Sequence, residues 1–196
     1  GMGCAAADVD KNGRTDFLFA RSNAAGSLVT SDGEGRFTQA AGPQVPAGVT
    51  VAQFVDYDND GLLDVFTATH RSVQLSRNIG QRWSDVTEAA GLKRLAAALT
   101  SDIDSIAFGD LDRDGDLDGL VLLASGELRS WRNQGGSARK AIQVRLAGRF
   151  SNGAGVGSKV ELRAGSLRQR VETTAVTPAL GPPEILCGLG VRKAAD

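Results

Sequence analysis

Three nine-residue stretches constrain this chain more than anything else in it. "DVDKNGRTD" starts at Asp8, "DYDNDGLLD" at Asp56 and "DLDRDGDLD" at Asp110, and each obeys the pattern D-x-D-x-[DN]-G-x-x-D. Three acids fall in the first stretch, four in the second and five in the third, about half of the 23 in the chain. Like charges packed this closely raise one another's pKa and oppose folding unless something cancels them. The spacing suggests what does. Oxygen donors at positions one, three and five of a tight loop converge on a point, and glycine at position six (Gly13, Gly61, Gly115) supplies the sharp turn with φ above zero.

A hard divalent cation with about six to eight oxygen ligands suits that donor set, and calcium is expected, at up to three sites. The candidate ligands are Asp8, Asp10, Asn12, the carbonyl of Arg14 and Asp16 in the first loop. In the second they are Asp56, Asp58, Asp60, the carbonyl of Leu62 and Asp64, and in the third Asp110, Asp112, Asp114, the carbonyl of Asp116 and Asp118. A helix-flanked EF-hand loop needs a bidentate Glu at position 12. Here position 12 is Phe19, Thr67 and Val121, and the last carboxylate is at position nine. A single copy could be a solvated acidic turn, since Asp and Gly favour turns. Three copies with the same donors and the same glycine favour shared ligand chemistry.

What flanks the loops is β-like. "GCAAA", "VAQFV" and "SIAFG" precede them, and "FLFA", "VFTA" and "GLVLLA" follow. Next come "SLVTSDGEGRFTQ" (27–39), "VQLSRNIGQRWSDVT" (73–87) and "ELRSWRNQGG" (127–136), each a further strand leading into a glycine turn. Phe37 and Trp83 take equivalent places after that turn and are expected to wedge between units. The 25 glycines, well above the usual ~7%, fit a chain of many tight turns. The expected fold is therefore all-β, with three units of roughly four strands each, over about 1–47, 48–100 and 101–136.

The stretch 1–136 resembles FG-GAP/VCBS-type repeats, with "FGDLDRDGDLDGLVL" the closest copy. The resemblance implies calcium-bearing β-propeller blades, here about three of them. From residue 137 the pattern changes to basic alternating strands without an acidic loop. Ile142, Val144 and Leu146 lie on one side of "SNGAGVG" and Val160 and Leu162 on the other, and a tight hairpin is expected between them. "RFSNGAGVGSKVELRAG" and "CGLG" (187–190) resemble the ASPIC/UnbV domain, with Ser158 and Cys187 as departures. That order of modules is the one found in the cartilage acidic protein-like family. A small C-terminal β domain, 137–196, is expected. Both ends fall where a blade or a domain should continue, so a fragment of a longer exported protein is expected, extracellular or periplasmic, with no signal peptide in this stretch.

The remaining chemistry is sparse. "GAGVG" lacks the following helix that a dinucleotide fingerprint requires. His70 and Tyr57 stand outside any nucleophile–base set, and Tyr57, at position two of its loop, should point away from an ion. The tail bases Arg139, Lys140, Arg145, Arg149, Lys159, Arg163, Arg168 and Arg170 read as solvated strand faces, or as an anion patch. No aromatic platform for nucleic acid is evident, and no apolar run reaches the length of a membrane span. Cys4 and Cys187 read as two buried thiols rather than a disulfide. The expected function is non-catalytic: an extracellular module, not an enzyme, with structural calcium and an unidentified protein or glycan partner. The alternatives are a calcium-dependent polysaccharide lyase-like enzyme and a lectin.

Overall fold

The computed structural model describes residues 3–80, 82–135, 139–149, 152–153, 155–173 and 184–195. The apolar runs on the two sides of each acidic loop become the first two strands of an antiparallel sheet. The first sheet orders β1 (Cys4–Ala7), β2 (Asp16–Phe19), β3 (Ser27–Ser31) and β4 (Phe37–Ala40) in sequence. The second repeats this with β5 (Val51–Val55), β6 (Asp64–Ala68), β7 (Val73–Asn78) and β8 (Trp83–Asp85). The third joins β9 (Ile103–Gly109), β10 (Asp118–Leu123) and β11 (Leu128–Trp131), with three strands among the described residues where four were expected. Among the described residues no aromatic-led strand follows Trp131. Asn133 instead ties the chain down, its N–H bonded to Asp118 and its side chain to the Tyr57 carbonyl. The protein is thus nearly all-β, built of blade-like sheets as expected.

Alternation along the strands gives each sheet two working faces. Val65 packs toward the first sheet with Leu18, Leu28 and Val49, while its neighbour Phe66 packs toward the third with Leu75, Ile106 and Val121. Phe66 and Phe108 meet edge to face at 4.9 Å. Trp83 wedges between units as expected, against the first core, and its Nε1 donates to the Ala41 carbonyl at 3.2 Å. Phe37 departs from that expectation. It lies exposed on the outer face of the first sheet, its ring 5.9 Å from that of Phe17. A short helix the sequence reading did not anticipate, α1 (Leu92–Ala97), joins β8 to β9 and seals the second core through the fully buried Leu92.

The expected hairpin across "SNGAGVG" does not form; of that stretch Ser151 and Ala154 lie outside the described residues. A two-residue turn at Gly165 (φ 61°) and Ser166 instead pairs β13 (Lys159–Ala164) with β14 (Leu167–Glu172). β12 (Lys140–Arg145) pairs antiparallel with β15 (Glu184–Gly190). The local turn closes at less entropic cost than the longer glycine loop, which leaves β12 to the distant strand. Leu162, Leu167, Ile185, Cys187 and Leu189 form the core of this tail. Both cysteines are free thiols, but only Cys187 is buried, and burial pushes it up to about 11; Cys4 is exposed, against expectation. Among the described residues no helix is long and apolar enough to cross a membrane.

Candidate metal centre

Each acidic loop is folded by its own carboxylates onto its own backbone. The position-one Asp accepts from the glycine N–H at position six: Gly13 to Asp8 at 2.9 Å, Gly61 to Asp56 at 3.0 Å, Gly115 to Asp110 at 3.1 Å. The position-five side chain accepts from the N–H two residues on, as Arg14 N–H does to Asn12 and Leu62 N–H to Asp60. The third loop does the same, Asp116 N–H to Asp114. The position-nine Asp, fully buried in all three loops, bridges outward. One oxygen takes the position-two N–H of Val9, Tyr57 or Leu111. The other takes the N–H of Ser31, Asn78 or Asn133, at the end of or just past the third strand. Position nine therefore clamps the loop to its own sheet.

Those bonds leave three carboxylates facing one another in each loop. Oxygens of Asp8, Asp10 and Asp16 lie within 4.8 Å of one another, as do those of Asp56, Asp58 and Asp64, and those of Asp110, Asp112 and Asp118. Asp60 and Asp114 stand outside these groups. Asp8 Oδ1 and Asp58 Oδ1 are buried with no hydrogen-bond partner among the described residues. A buried, unpartnered carboxylate oxygen beside two more carboxylates fits a cation. The electrostatics agree. Burial, reinforced by Asp60 and Asp58, pushes the Asp56 carboxyl up to about 7, and burial pushes Asp64 up to about 8. Burial also raises Asp8, against the lowering effect of the Gly13 N–H. The residues fit a hard cation held by oxygen; their geometry does not identify calcium.

The loops are also tied to one another. The position-four residue of each has a left-handed backbone, with φ 62° at Lys11, 55° at Asn59 and 65° at Arg113. That conformation is uncommon for non-glycine residues, though Asn adopts it more readily. Lys11 Nζ donates to the Gly61 carbonyl of the second loop, and Asn59 Nδ2 donates to the Gly115 carbonyl of the third at 3.0 Å. Asn59 also reaches Asp116 Oδ1 at 2.7 Å. Tyr57, as expected, turns away and packs on the second core.

Sequence reasoning missed a further set of residues. Arg77 Nη2 lies 2.6 Å from Asp58 Oδ2 and 3.1 Å from Asp60 Oδ2, and Arg139 Nη1 lies 2.6 Å from Asp58 Oδ2. The Gly188 N–H donates to Asp56 Oδ2 at 3.2 Å, and the Gly190 N–H to the Asn59 carbonyl at 2.7 Å. A Cβ at Gly188 would lie 2.3 Å from Asp56 Oδ2, so only glycine lets β15 cross this loop. Arg170 Nη1 donates to the Gly13 carbonyl at 2.7 Å. Two of the tail bases read as solvated are thus docked on the acidic loops. The signals available were the small residue at 188 and the basic tail beside an acidic rim. His70 is a surface residue, its Nδ1 3.9 Å from Asp102.

A family model described as FG-GAP-like repeat matches residues 8–67 and again 56–121. Each match starts at the first Asp of one loop and ends at position 12 of the next, so all three loops fall within them. No curated protein matches the chain. The two matches together span more than half of the sequence, over the same loops and sheets whose geometry repeats, and the chain belongs to the FG-GAP-like repeat family.

Proposed function

We propose that this chain is a non-catalytic, extracellular or periplasmic repeat module that binds a protein or glycan, and whose acidic loops take calcium as a structural cation. The observation that carries this reading is the triad of converging carboxylates in each loop, with Asp8 Oδ1 and Asp58 Oδ1 buried and unpartnered. The ion would be held by side chains at positions one, three, five and nine and by the main-chain carbonyls of Arg14, Leu62 and Asp116. Bound there, calcium supplies the positive charge that the loops' own N–H groups do not.

The blades are assigned to about 1–47, 48–100 and 101–136, and the tail, 137–196, to an ASPIC/UnbV-like domain; the 136/137 junction and Phe150, Ser151 and Ala154 of its motif lie outside the described residues. The non-catalytic assignment rests on the nature of the converging groups. They are oxygen ligands engaged with backbone N–H groups, while His70 lies on the surface beside Asp102.

Calorimetric titration with calcium, paired with thermal melts in EDTA and in calcium, tests the proposal. With Kd near 10⁻⁴ M and ~1 mM calcium, each site contributes about 1.4 kcal/mol. Three sites together then raise the melting temperature by about 10 °C. Asp112→Ala is expected to remove about a third of that response. No heat of binding and identical melts in both buffers would refute the calcium reading.

A further inference from the structure

We infer that Arg77 and Arg139 compete with the cation for the second acidic loop, so that this loop is the weakest of the three sites and loading it loosens the tail. The inference rests on the calcium reading above, and it replaces three equal sites with two tighter ones and one weaker one. It starts from the donors that each position-three carboxylate already holds.

In the first loop Asp10 accepts from Asn12, through the N–H at 3.1 Å and the side-chain amide at 3.0 Å, both neutral donors. In the third, Asp112 accepts from the Asp114 N–H at 3.3 Å and pairs with Arg132, which is 61% exposed. In the second, Asp58 Oδ2 lies 2.6 Å from two guanidiniums at once, and the Arg77 and Arg139 side chains are only 28% and 30% exposed. Arg77 reaches Asp60 as well, and Lys11 Nζ sits on the Gly61 carbonyl of the same loop. Arg170 also approaches the first loop, but at the Gly13 carbonyl rather than at a carboxylate. Fixed positive charge beside a ligand carboxylate repels a divalent cation and offsets the negative charge that would hold it. Solvent and salt screen this least where the pair is withdrawn from water. Asp58 Oδ1, buried and without a hydrogen-bond partner among the described residues, still offers the cluster an oxygen, so the site is weakened rather than abolished.

One of the two rivals belongs to the tail. Arg139 Nη1 also donates to the Asp58 carbonyl at 3.0 Å. From β15, the Gly188 N–H takes Asp56 Oδ2 and the Gly190 N–H takes the Asn59 carbonyl. Two of the three converging carboxylates, Asp56 and Asp58, thus serve both the tail and a cation. Among the described residues, the carboxylate groups of the first and third loops hold no donor from the tail. Coupling between two binding events is reciprocal. A docked tail that weakens the site is itself weakened when the site is loaded.

Calcium titration of the whole chain, followed by NMR, tests this. In each loop the position-six glycine N–H donates to the position-one Asp, so the Gly13, Gly61 and Gly115 amide resonances follow the three loops separately. Gly13 and Gly115 are expected to shift first, and Gly61 only at about tenfold more calcium. As Gly61 shifts, hydrogen exchange at Gly188 and Gly190 is expected to quicken. Arg77→Gln and Arg139→Gln each remove one charge, and each should bring the Gly61 midpoint down about fivefold while leaving those of Gly13 and Gly115 in place. A purely structural role for these arginines would not tighten calcium binding. The order of loading needs no variant, and Arg139→Gln, at the more exposed side chain, serves alone where Arg77→Gln fails to fold. Three glycines that shift together, a Gly61 that leads, a folded variant with an unchanged or raised Gly61 midpoint, or exchange at Gly188 and Gly190 that ignores Gly61 overturns the inference and leaves the calcium reading standing. No shift at any of the three glycines refutes the calcium reading, and this inference with it.

Discussion

The second acidic loop and its two neighbours share a signature but not a way of neutralising it. In the second, Asp56, Asp58 and Asp64 are all buried, Arg77 and Arg139 pair with Asp58, and β15 lies across the top. In the first and third, the position-three carboxylates Asp10 and Asp112 are exposed, and the one ion pair to either among the described residues is Arg132 to Asp112 at 3.1 Å, with Arg132 61% exposed. The protein thus supplies its own cations where the position-three carboxylate is buried and leaves that carboxylate open to solvent in the two outer loops. Desolvation explains the difference. A carboxylate taken out of water needs a fixed partner, whereas one at the surface is screened by solvent and mobile ions.

The largest expected effect tests what the loops have in common. Asp64→Ala and Asp118→Ala each strip two backbone N–H groups of their acceptor, and each is expected to cost about 3 kcal/mol in urea unfolding with calcium present. Equal costs place position nine as a clamp in every loop; a cost confined to Asp64 makes it a property of the buried loop alone.

A smaller effect separates the loops. Arg77→Ala is expected to cost about 2 kcal/mol, because it uncovers Asp58 and Asp60, and millimolar calcium should recover part of the loss. Arg132→Ala is expected to cost about 0.5 kcal/mol or less, as exposed pairs do. Matching costs for the two arginines erase the distinction drawn between the loops.

The third expectation concerns pH. Without metal, Asp56 and Asp64 hold their protons up to about 7 and about 8 in the folded chain, against roughly 4 when unfolded. Between those values the folded state binds more protons, so stability falls as pH rises from about 5 to about 8. In EDTA the urea midpoint should drop over that range, and Asp64→Asn or added calcium should flatten the profile. A level profile in EDTA counts against burial holding the Asp56 and Asp64 carboxyls up.

Much of this architecture was legible because it is local. The strands follow apolar runs beside each loop, and the loops follow from donors two residues apart around one glycine. What escaped the reading depends on contacts distant in sequence. Arg77 reads as an ordinary base within a strand, and only the pairing of β6 with β7 brings it to Asp58. Arg139 and Gly188 reach the second loop from the tail, across 81 and 132 residues of chain. α1 has six residues, too few for a periodic pattern to register. The β12–β15 pairing could not be read because the Gly165 turn that pre-empts the expected hairpin wins by proximity.

The loop-to-loop bridges of Lys11 and Asn59 also govern where the chain can grow. They hold consecutive loop rims at one hydrogen bond's distance, so the rim cannot lengthen without breaking them. The segments joining one sheet to the next run at the opposite end, and there the second link houses a whole helix that the first lacks. The links between sheets therefore differ in length at the pole away from the acidic loops, where the second accommodates α1 and the first does not.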